Sequence, residues 1–404
     1  MRSFVQHIPF HNGTPPEALI IGAGPAGLAV AVSLQKKGIA SRLLEASNHV
    51  GNSWRNHYER LHLHTPKSYS ALPGMEWPHD APRYPKREQV VEYLQRYADA
   101  FGIRPQFDQR VHSAKYQDGA WQVQAQDSRG YISLHRAPML VVASGYSAKP
   151  NLPQWEGQSV YGGQLMHSSR YFSGSGFRGQ RVLVVGMGNS GGEIALDLAE
   201  HGVDTTLSVR GPVNVIPKEV LGVSYIDIAR LQRYWPAWLA DAFNAPTTRL
   251  LIGDLQKHGL RKSINGPVRE IRSGGRVPLI DIGTLARIRS GDIAMRPAIQ
   301  RFTATGVVFD DGRTEPFDTV VLATGYRPNV RDWLQLPPGT REDEVWNADG
   351  VPLFNGQPVA VPQLYFCGFY VASTGMLHEI AREARRIAHH MAETATSLQP
   401  VQPV

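Results

Sequence analysis

The chain is poor in cysteine: Cys367 is the only one among 404 residues. One thiol excludes a disulfide within the chain, a cysteine-built zinc cluster and the Cys-x-x-Cys pair of flavin disulfide reductases. Long apolar runs are missing too. No uninterrupted apolar stretch reaches the roughly 18 residues of a membrane span, and Met1 to Glu17 lacks the apolar centre of a signal peptide. No transmembrane segment and a cytosolic (cytoplasmic) location are therefore expected. Runs of like charge are absent as well. The formal net charge of +7 comes from scattered Lys and Arg residues with no nucleic-acid motif, so no nucleic-acid partner is expected. Nothing reads as a repeat array or a disordered tail, and the length supports two or more domains.

What the chain does have is two glycine fingerprints. Gly22-Ala23-Gly24-Pro25-Ala26-Gly27 follows the apolar run Ala18-Leu19-Ile20-Ile21. Gly186-Met187-Gly188-Asn189-Ser190-Gly191 follows Arg181-Val182-Leu183-Val184-Val185. Both runs are apolar without alternation, as buried parallel strands are, and each motif opens an amphipathic stretch. At such a strand-turn-helix junction the first Gly permits the tight turn and the second lets the backbone approach a pyrophosphate. The third lets helix and strand pack closely, and the helix N-terminus holds the anion. Two bound dinucleotides are expected.

The two units differ where the second strand ends. Ser41-Arg42-Leu43-Leu44 runs into Glu45, an acid placed about 20 residues beyond the glycines to bond a ribose diol, which suits FAD. Thr205-Thr206-Leu207-Ser208-Val209 runs instead into Arg210, with no carboxylate there. Arginine at that position suits the 2′-phosphate of NADPH; a solvated surface Arg is the alternative. Two polyphosphates also account for part of the positive surplus.

An internal repeat supports paired modules. Val141-Val142-Ala143-Ser144-Gly145-Tyr146 and Val321-Leu322-Ala323-Thr324-Gly325-Tyr326 are apolar strands with the same ending. Each follows a β-meander, marked in one case by Trp121 to Gln126 and Tyr131 to Arg136. In the other, Asp310-Asp311-Gly312 signals a tight turn between Val307-Val308-Phe309 and the Ala323 strand. Each module is expected to close with a strand returning to its own sheet. The expected fold is α/β, with two Rossmann-like dinucleotide-binding domains. The NADPH domain, residues 153–321, is inserted in an FAD domain made of residues 1–152 and 322–404. The crossovers at Ala143 to Pro153 and Leu322 to Pro328, rich in small residues and Pro, are the expected hinges.

The connector carries Tyr161-Gly162-Gly163-Gln164-Leu165-Met166-His167-Ser168-Ser169-Arg170-Tyr171. It resembles the F-x-G-x-x-x-H-x-x-x-[YF] signature of flavin-containing monooxygenases, with Tyr161 in place of Phe; Baeyer-Villiger enzymes carry Trp where Tyr171 stands. The resemblance narrows to the YUCCA-like branch through Arg60-Leu61-His62-Leu63-His64-Thr65-Pro66-Lys67 and Val213-Asn214-Val215-Ile216-Pro217-Lys218-Glu219. It continues in Leu251 to Leu260, Asp281-Ile282-Gly283-Thr284-Leu285 and Ala323 to Val330, and so spans most of the chain.

Such a resemblance implies an FAD enzyme that takes hydride from NADPH, forms a flavin hydroperoxide with molecular oxygen and oxygenates a small-molecule substrate. It implies catalytic roles for His167 and Tyr171, against which stands a plain hydrogen-bonded linker histidine. His64 aligns where animal enzymes carry an Asn that supports the peroxide, a departure that leaves the transfer of that role open. Ala323, Thr324 and Gly325 count with the cofactor-binding set, as does Ser208. Gly51-Asn52-Ser53-Trp54 is expected as a loop against the flavin, with Trp54 as core the equal alternative. Gly368 follows the strand Leu364 to Cys367 and is expected in the loop capping the flavin pyrimidine. A helix near Leu377 to Glu393 would aim its N-terminal dipole at the reduced ring. Cys367 itself reads as a small buried residue.

Tyr225 to Leu255, with Tyr234, Trp235, Trp238 and Phe243 and broken by Pro236 and Pro246, is either a roof over the substrate channel or a core-covering helical insertion. Three function classes remain open. They are oxidative decarboxylation of an α-keto acid such as indole-3-pyruvate, N- or S-oxygenation of a soft nucleophile, and an NADPH oxidase or redox sensor. Whether the chain forms a homodimer is also left open.

Overall fold

A computed structural model describes residues 5–7, 17–232, 234–274, 277–372 and 374–398. Most of the segment compared with a signal peptide lies outside these described residues.

The first glycine motif joins β1 (Ala18–Ile21) to α1 (Pro25–Gln35), followed by β2 (Ser41–Leu44), α2 (Asn52–Arg55) and α3 (Arg87–Ala100). A meander of β3 (Arg110–Gln117), β4 (Ala120–Gln126) and β5 (Ile132–Ala137) leads into β6 (Met139–Val142). Connector strands β7 (Lys149–Pro150) and β8 (Gln164–His167) precede β9 (Arg181–Val185), α4 (Asn189–Glu200) and β10 (Asp204–Ser208). Helices α5 (Tyr225–Leu231), α6 (Ala237–Ile252), α7 (Pro267–Gly274) and α8 (Thr284–Ser290) come next, then β11 (Ile293–Arg296). A second meander, β12 (Ile299–Phe302), β13 (Gly306–Phe309) and β14 (Thr314–Pro316), leads into β15 (Thr319–Leu322) and β16 (Tyr326–Arg327). The chain ends with β17 (Leu364–Phe366) and α9 (Met376–Leu398).

Two parallel sheets result. The first runs β17-β6-β1-β2, and β1 is buried along its whole length, as its unbroken apolar run requires. The second runs β11-β10-β9-β15-β8, again parallel throughout. The strands β6 and β15, expected to close the modules, each lie beside the strand preceding their own glycine motif. Both meanders are present. In the second, the Asp310 to Gly312 turn pairs β13 with β14, an additional strand that intervenes before β15.

Helix α1 starts with Pro at its first position, where a missing N–H is harmless. It is buried from Ala26 to Leu34, since the sheet, α3 and α9 enclose it. Gly51 to Trp54 is a helical turn, not the loop expected. Helix α9 begins one residue before the expected span and extends to Leu398.

The two crossovers are zipped together. Strand β7 pairs antiparallel with β16, Asn151 N–H donates to Gly325 O at 2.9 Å, and Thr324 Oγ1 donates to Asn151 O at 2.6 Å. Tyr225 to Ile252 forms α5 and α6, with Pro246 inside α6. This is a helical insertion on the second module.

Candidate functional site

Both glycine motifs have the same local geometry, and it leaves room for an anion. Gly22 and Gly186 have φ of +104° and +106°, a region that L side chains rarely adopt. Each also crowds the strand end of its own sheet: an added Cβ would lie 2.6 Å from Ala143 O and from Ala323 O respectively. At Gly27 and Gly191 a Cβ would stand 1.8 and 1.9 Å from the carbonyls of Gly22 and Gly186, so these glycines are required by packing. At Gly24 and Gly188 a Cβ would meet nothing within 4 Å. Those two glycines are the N-caps of α1 and α4, with no side-chain cap and no acid in the first turn. The first-turn N–H groups therefore face open space beside a positive dipole end, an arrangement that fits a pyrophosphate at each helix.

The Glu45 carboxylate accepts from Ala23 N–H at 2.7 Å and Ser47 N–H at 2.8 Å. It is held against the first glycine loop at the rim of the cleft, with lone pairs left for a diol. Ser208 is buried and donates to Pro297 O at 2.7 Å. Arg210 is exposed just beyond β10, where its carbonyl accepts from Arg261.

A cavity of about 590 Å³ opens between the modules. Gly22, Gly24, Pro25, Ala26, Glu45 and Gly368 line it from the first module, with Trp54 beside them. Asn189 and Ser190 line it from α4. Tyr225, Ile226 and Ala229 of α5 and Val268 and Ile271 of α7 add an apolar wall. Of the Tyr225 to Leu255 segment, then, only α5 reaches the cavity wall. Tyr234, Trp238 and Phe243 are exposed and lie outside this lining, so of the two readings left open, roof or helical insertion, that part of the segment follows the insertion.

His64 also lines the cavity, and its Nε2 meets Glu193 Oε1 at 2.5 Å. Glu193 lies on α4 and is 1% exposed, a residue that no motif in the sequence singles out. Its signal is a carboxylate inside the buried stretch Gly191 to Leu198, where Asp197 is the other acid. Around the pair sit Tyr58, whose phenol burial and Glu193 push well up, and His57, which burial pushes down.

His167 and Tyr171 are buried and stand outside the cavity lining. His167 Nε2–H donates to Gly325 O at 3.0 Å, its Nδ1 accepts from Ser169 N–H at 3.1 Å, and the ring meets Tyr326 edge-on. Both ring nitrogens are thus engaged at the crossover. The Tyr171 hydroxyl donates to Asp197 on α4. Ala323, Thr324 and Gly325 lie at the same crossover, also outside the lining.

Gly368, with φ +84°, donates its N–H to Glu383 Oε2 on α9 at 2.7 Å. Burial raises the Glu383 carboxyl to about 7 and pushes the neighbouring Cys367 thiol up, which marks Cys367 as packing and not a nucleophile. No helix among the described residues is long and apolar enough to cross a membrane.

Comparison with known proteins agrees with this geometry. The pyridine nucleotide-disulphide oxidoreductase family model matches residues 19–245. With one cysteine in the chain, the match concerns the dinucleotide fold and not disulfide chemistry. Indole-3-pyruvate monooxygenase YUCCA1 of Oryza sativa subsp. japonica is 42% identical over 324 residues, 79% of each chain. Indole-3-pyruvate monooxygenase YUCCA6 of Arabidopsis thaliana is 40% identical over 83% of this chain and 80% of that protein. Among solved structures, a flavin-containing monooxygenase from Stenotrophomonas maltophilia has a TM-score of 0.70 at 22% identity. It covers 94% of this chain and 98% of its own. An oxidized steroid monooxygenase bound to NADP gives 0.73 at 20% identity, covering 95% of this chain and 86% of that one. At these identities the two structures share the fold. The chain belongs to the YUCCA-like flavin monooxygenases and is an enzyme that uses FAD and NADPH to oxygenate a small molecule.

Proposed function

We propose that the enzyme acts on an α-keto acid of the indole-3-pyruvate kind and releases CO₂. The observation that carries this reading is the cavity: both glycine motifs open on one space whose far wall, from α5 and α7, is apolar and suits a flat aromatic side chain. The relatives named for indole-3-pyruvate supply the substrate class. The reaction balances as R–CO–COOH + O₂ + NADPH + H⁺ giving R–COOH + CO₂ + NADP⁺ + H₂O.

In this reading Gly24 and the α1 N-terminus hold the FAD pyrophosphate and Glu45 its ribose. Gly188 and the α4 N-terminus hold that of NADPH, and Arg210 reads the 2′-phosphate. FAD, once reduced by NADPH, supplies the activation of O₂. Trp54 and the α5 and α7 residues exclude water from that space, and His64 offers it a polar contact. His167 and Tyr171 hold the crossover between the two units, which we take as residues 1–152 with 322–404 and residues 153–321. We place the enzyme in the cytosol.

Turnover of indole-3-pyruvate under ¹⁸O₂, followed by mass spectrometry, tests the reading. One labelled oxygen in a carboxylic acid product, with one CO₂ released, is expected. A product one oxygen heavier than an amine or thioether substrate would replace it with N- or S-oxygenation. NADPH consumption matched by hydrogen peroxide alone would make the protein an oxidase.

A further inference from the structure

Glu193 is expensive to keep where it is. It is 1% exposed on α4, among Ile194, Ala195 and Leu196, which are buried, and its Oε2 has no hydrogen-bond partner among the described residues. A buried carboxylate with one unsatisfied oxygen destabilises the fold, and an apolar residue of similar size would avoid that. Its other oxygen reaches across the modules to His64 Nε2, 129 positions away in the chain, at 2.5 Å.

From this geometry we infer that Glu193 is a positioning residue for His64, and that it sets how the imidazole meets the substrate. A carboxylate only accepts, so Nε2 carries the hydrogen. Nδ1 then has no protein partner among the described residues, and the ring lines the cavity. In a pocket whose wall is largely apolar, a fixed Nδ1 acceptor gives a hydrogen-bond donor of the substrate, such as an indole N–H, a defined place. This rests on the reading of the cavity as the oxygenation site.

Two measurements on the FAD-loaded enzyme test the inference. Nitrogen-15 NMR of histidine-labelled protein, with His64 assigned by its loss in His64→Ala, reads the tautomer directly and needs no substrate. The Nε2–H form is expected in the wild type and in Glu193→Gln, whose amide oxygen can still accept. In Glu193→Ala a mixture with the Nδ1–H form is expected. An unchanged His64 tautomer in Glu193→Ala overturns the inference.

The second measurement is the KM and kcat for the keto acid. Loss of one well-placed hydrogen bond corresponds to roughly a tenfold rise in KM with a smaller change in kcat, and Glu193→Gln should restore the wild-type value. In a His64→Ala background, Glu193→Ala should add nothing further. A KM rise of equal size in that background would make Glu193 a purely structural residue and overturn the proposal. If no variant, wild type included, turns over the keto acid while the tautomer still depends on Glu193, the substrate assignment fails and the positioning pair stands.

Discussion

The Tyr171 hydroxyl donates to Asp197 Oδ2 at 2.5 Å, and the same carboxylate oxygen accepts from Gly174 N–H at 2.7 Å. One buried acid on α4 thus holds both the end of the connector motif and the turn after it. Tyr171 stacks on Phe177 as well, with ring centroids 5.5 Å apart. The aromatic that ends the motif is therefore an anchor of the crossover, and its polar atom is not offered to the cleft.

Tyr171→Phe should accordingly lower stability and leave coupling intact. Removing one donor to a buried carboxylate costs about 1 to 3 kcal/mol. A lower thermal unfolding midpoint is expected, with the ratio of product to hydrogen peroxide as in the wild type. His167→Ala should behave alike, because its two nitrogens serve Gly325 and Ser169. A rise in peroxide release at unchanged midpoint in either variant would return these residues to the chemistry.

Gly24 and Gly27 separate ligand binding from packing within one motif. A side chain at Gly24 projects into open space, so Gly24→Val should fold and purify without FAD, as colourless protein with a normal far-UV spectrum. A Cβ at Gly27 would collide with Gly22 O at 1.8 Å, so even Gly27→Ala should fail to give stable protein. Stoichiometric flavin retained in Gly24→Val would remove α1 as the pyrophosphate site.

This contrast also shows why some of the structure could be read in the sequence and some could not. The strands at Ala18 and Arg181, the glycine turns and the closing strands at Val141 and Val321 follow from local rules of apolar runs and required backbone angles. The pairing of β7 with β16 does not, because strands of two residues carry no periodicity. Nor does the Glu193–His64 contact, which joins residues of different modules through the way the modules dock. His167 was legible as a special residue, but only its two bonds, to Gly325 and Ser169, reveal that its nitrogens are already in use. The irregular segment from Val330 to Val361, which packs Trp333 and Trp346 over the first sheet, has no repeat to betray it.

Glu383 makes stability depend on pH in a definite direction. Burial raises its carboxyl from 4.5 to about 7 in the folded state. Below about 4.5 the group is protonated in both states. Between 4.5 and 7 the unfolded chain loses the proton while the folded protein keeps it, so stability falls as pH rises, by about 3 kcal/mol in total. Above 7 the penalty is constant. Glu383→Gln can still accept from Gly368 N–H but does not titrate. Urea midpoints of the two proteins at saturating FAD should therefore diverge from pH 5 to pH 7, with the variant gaining. Parallel midpoints over that range would show that Glu383 titrates normally.

On the proposed reading, Arg210 decides the choice between NADPH and NADH. It stands exposed at the end of the second strand of its module, and its carbonyl accepts from the Arg261 guanidinium at 2.7 Å; arginine at that strand end suits a 2′-phosphate. A bidentate guanidinium–phosphate contact is charge-assisted, and its loss costs about 1.5 to 3 kcal/mol, or roughly 10- to 150-fold in affinity. NADH has no 2′-phosphate to lose. Stopped-flow reduction of the bound flavin by each nucleotide should then show Arg210→Ala weakened by that factor for NADPH and little changed for NADH. Equal losses with both nucleotides would mean that Arg210 does not read the phosphate. Because Arg261 keeps its charge nearby, a residual preference for NADPH in Arg210→Ala that disappears in the double variant with Arg261→Ala would assign the remainder to that second guanidinium.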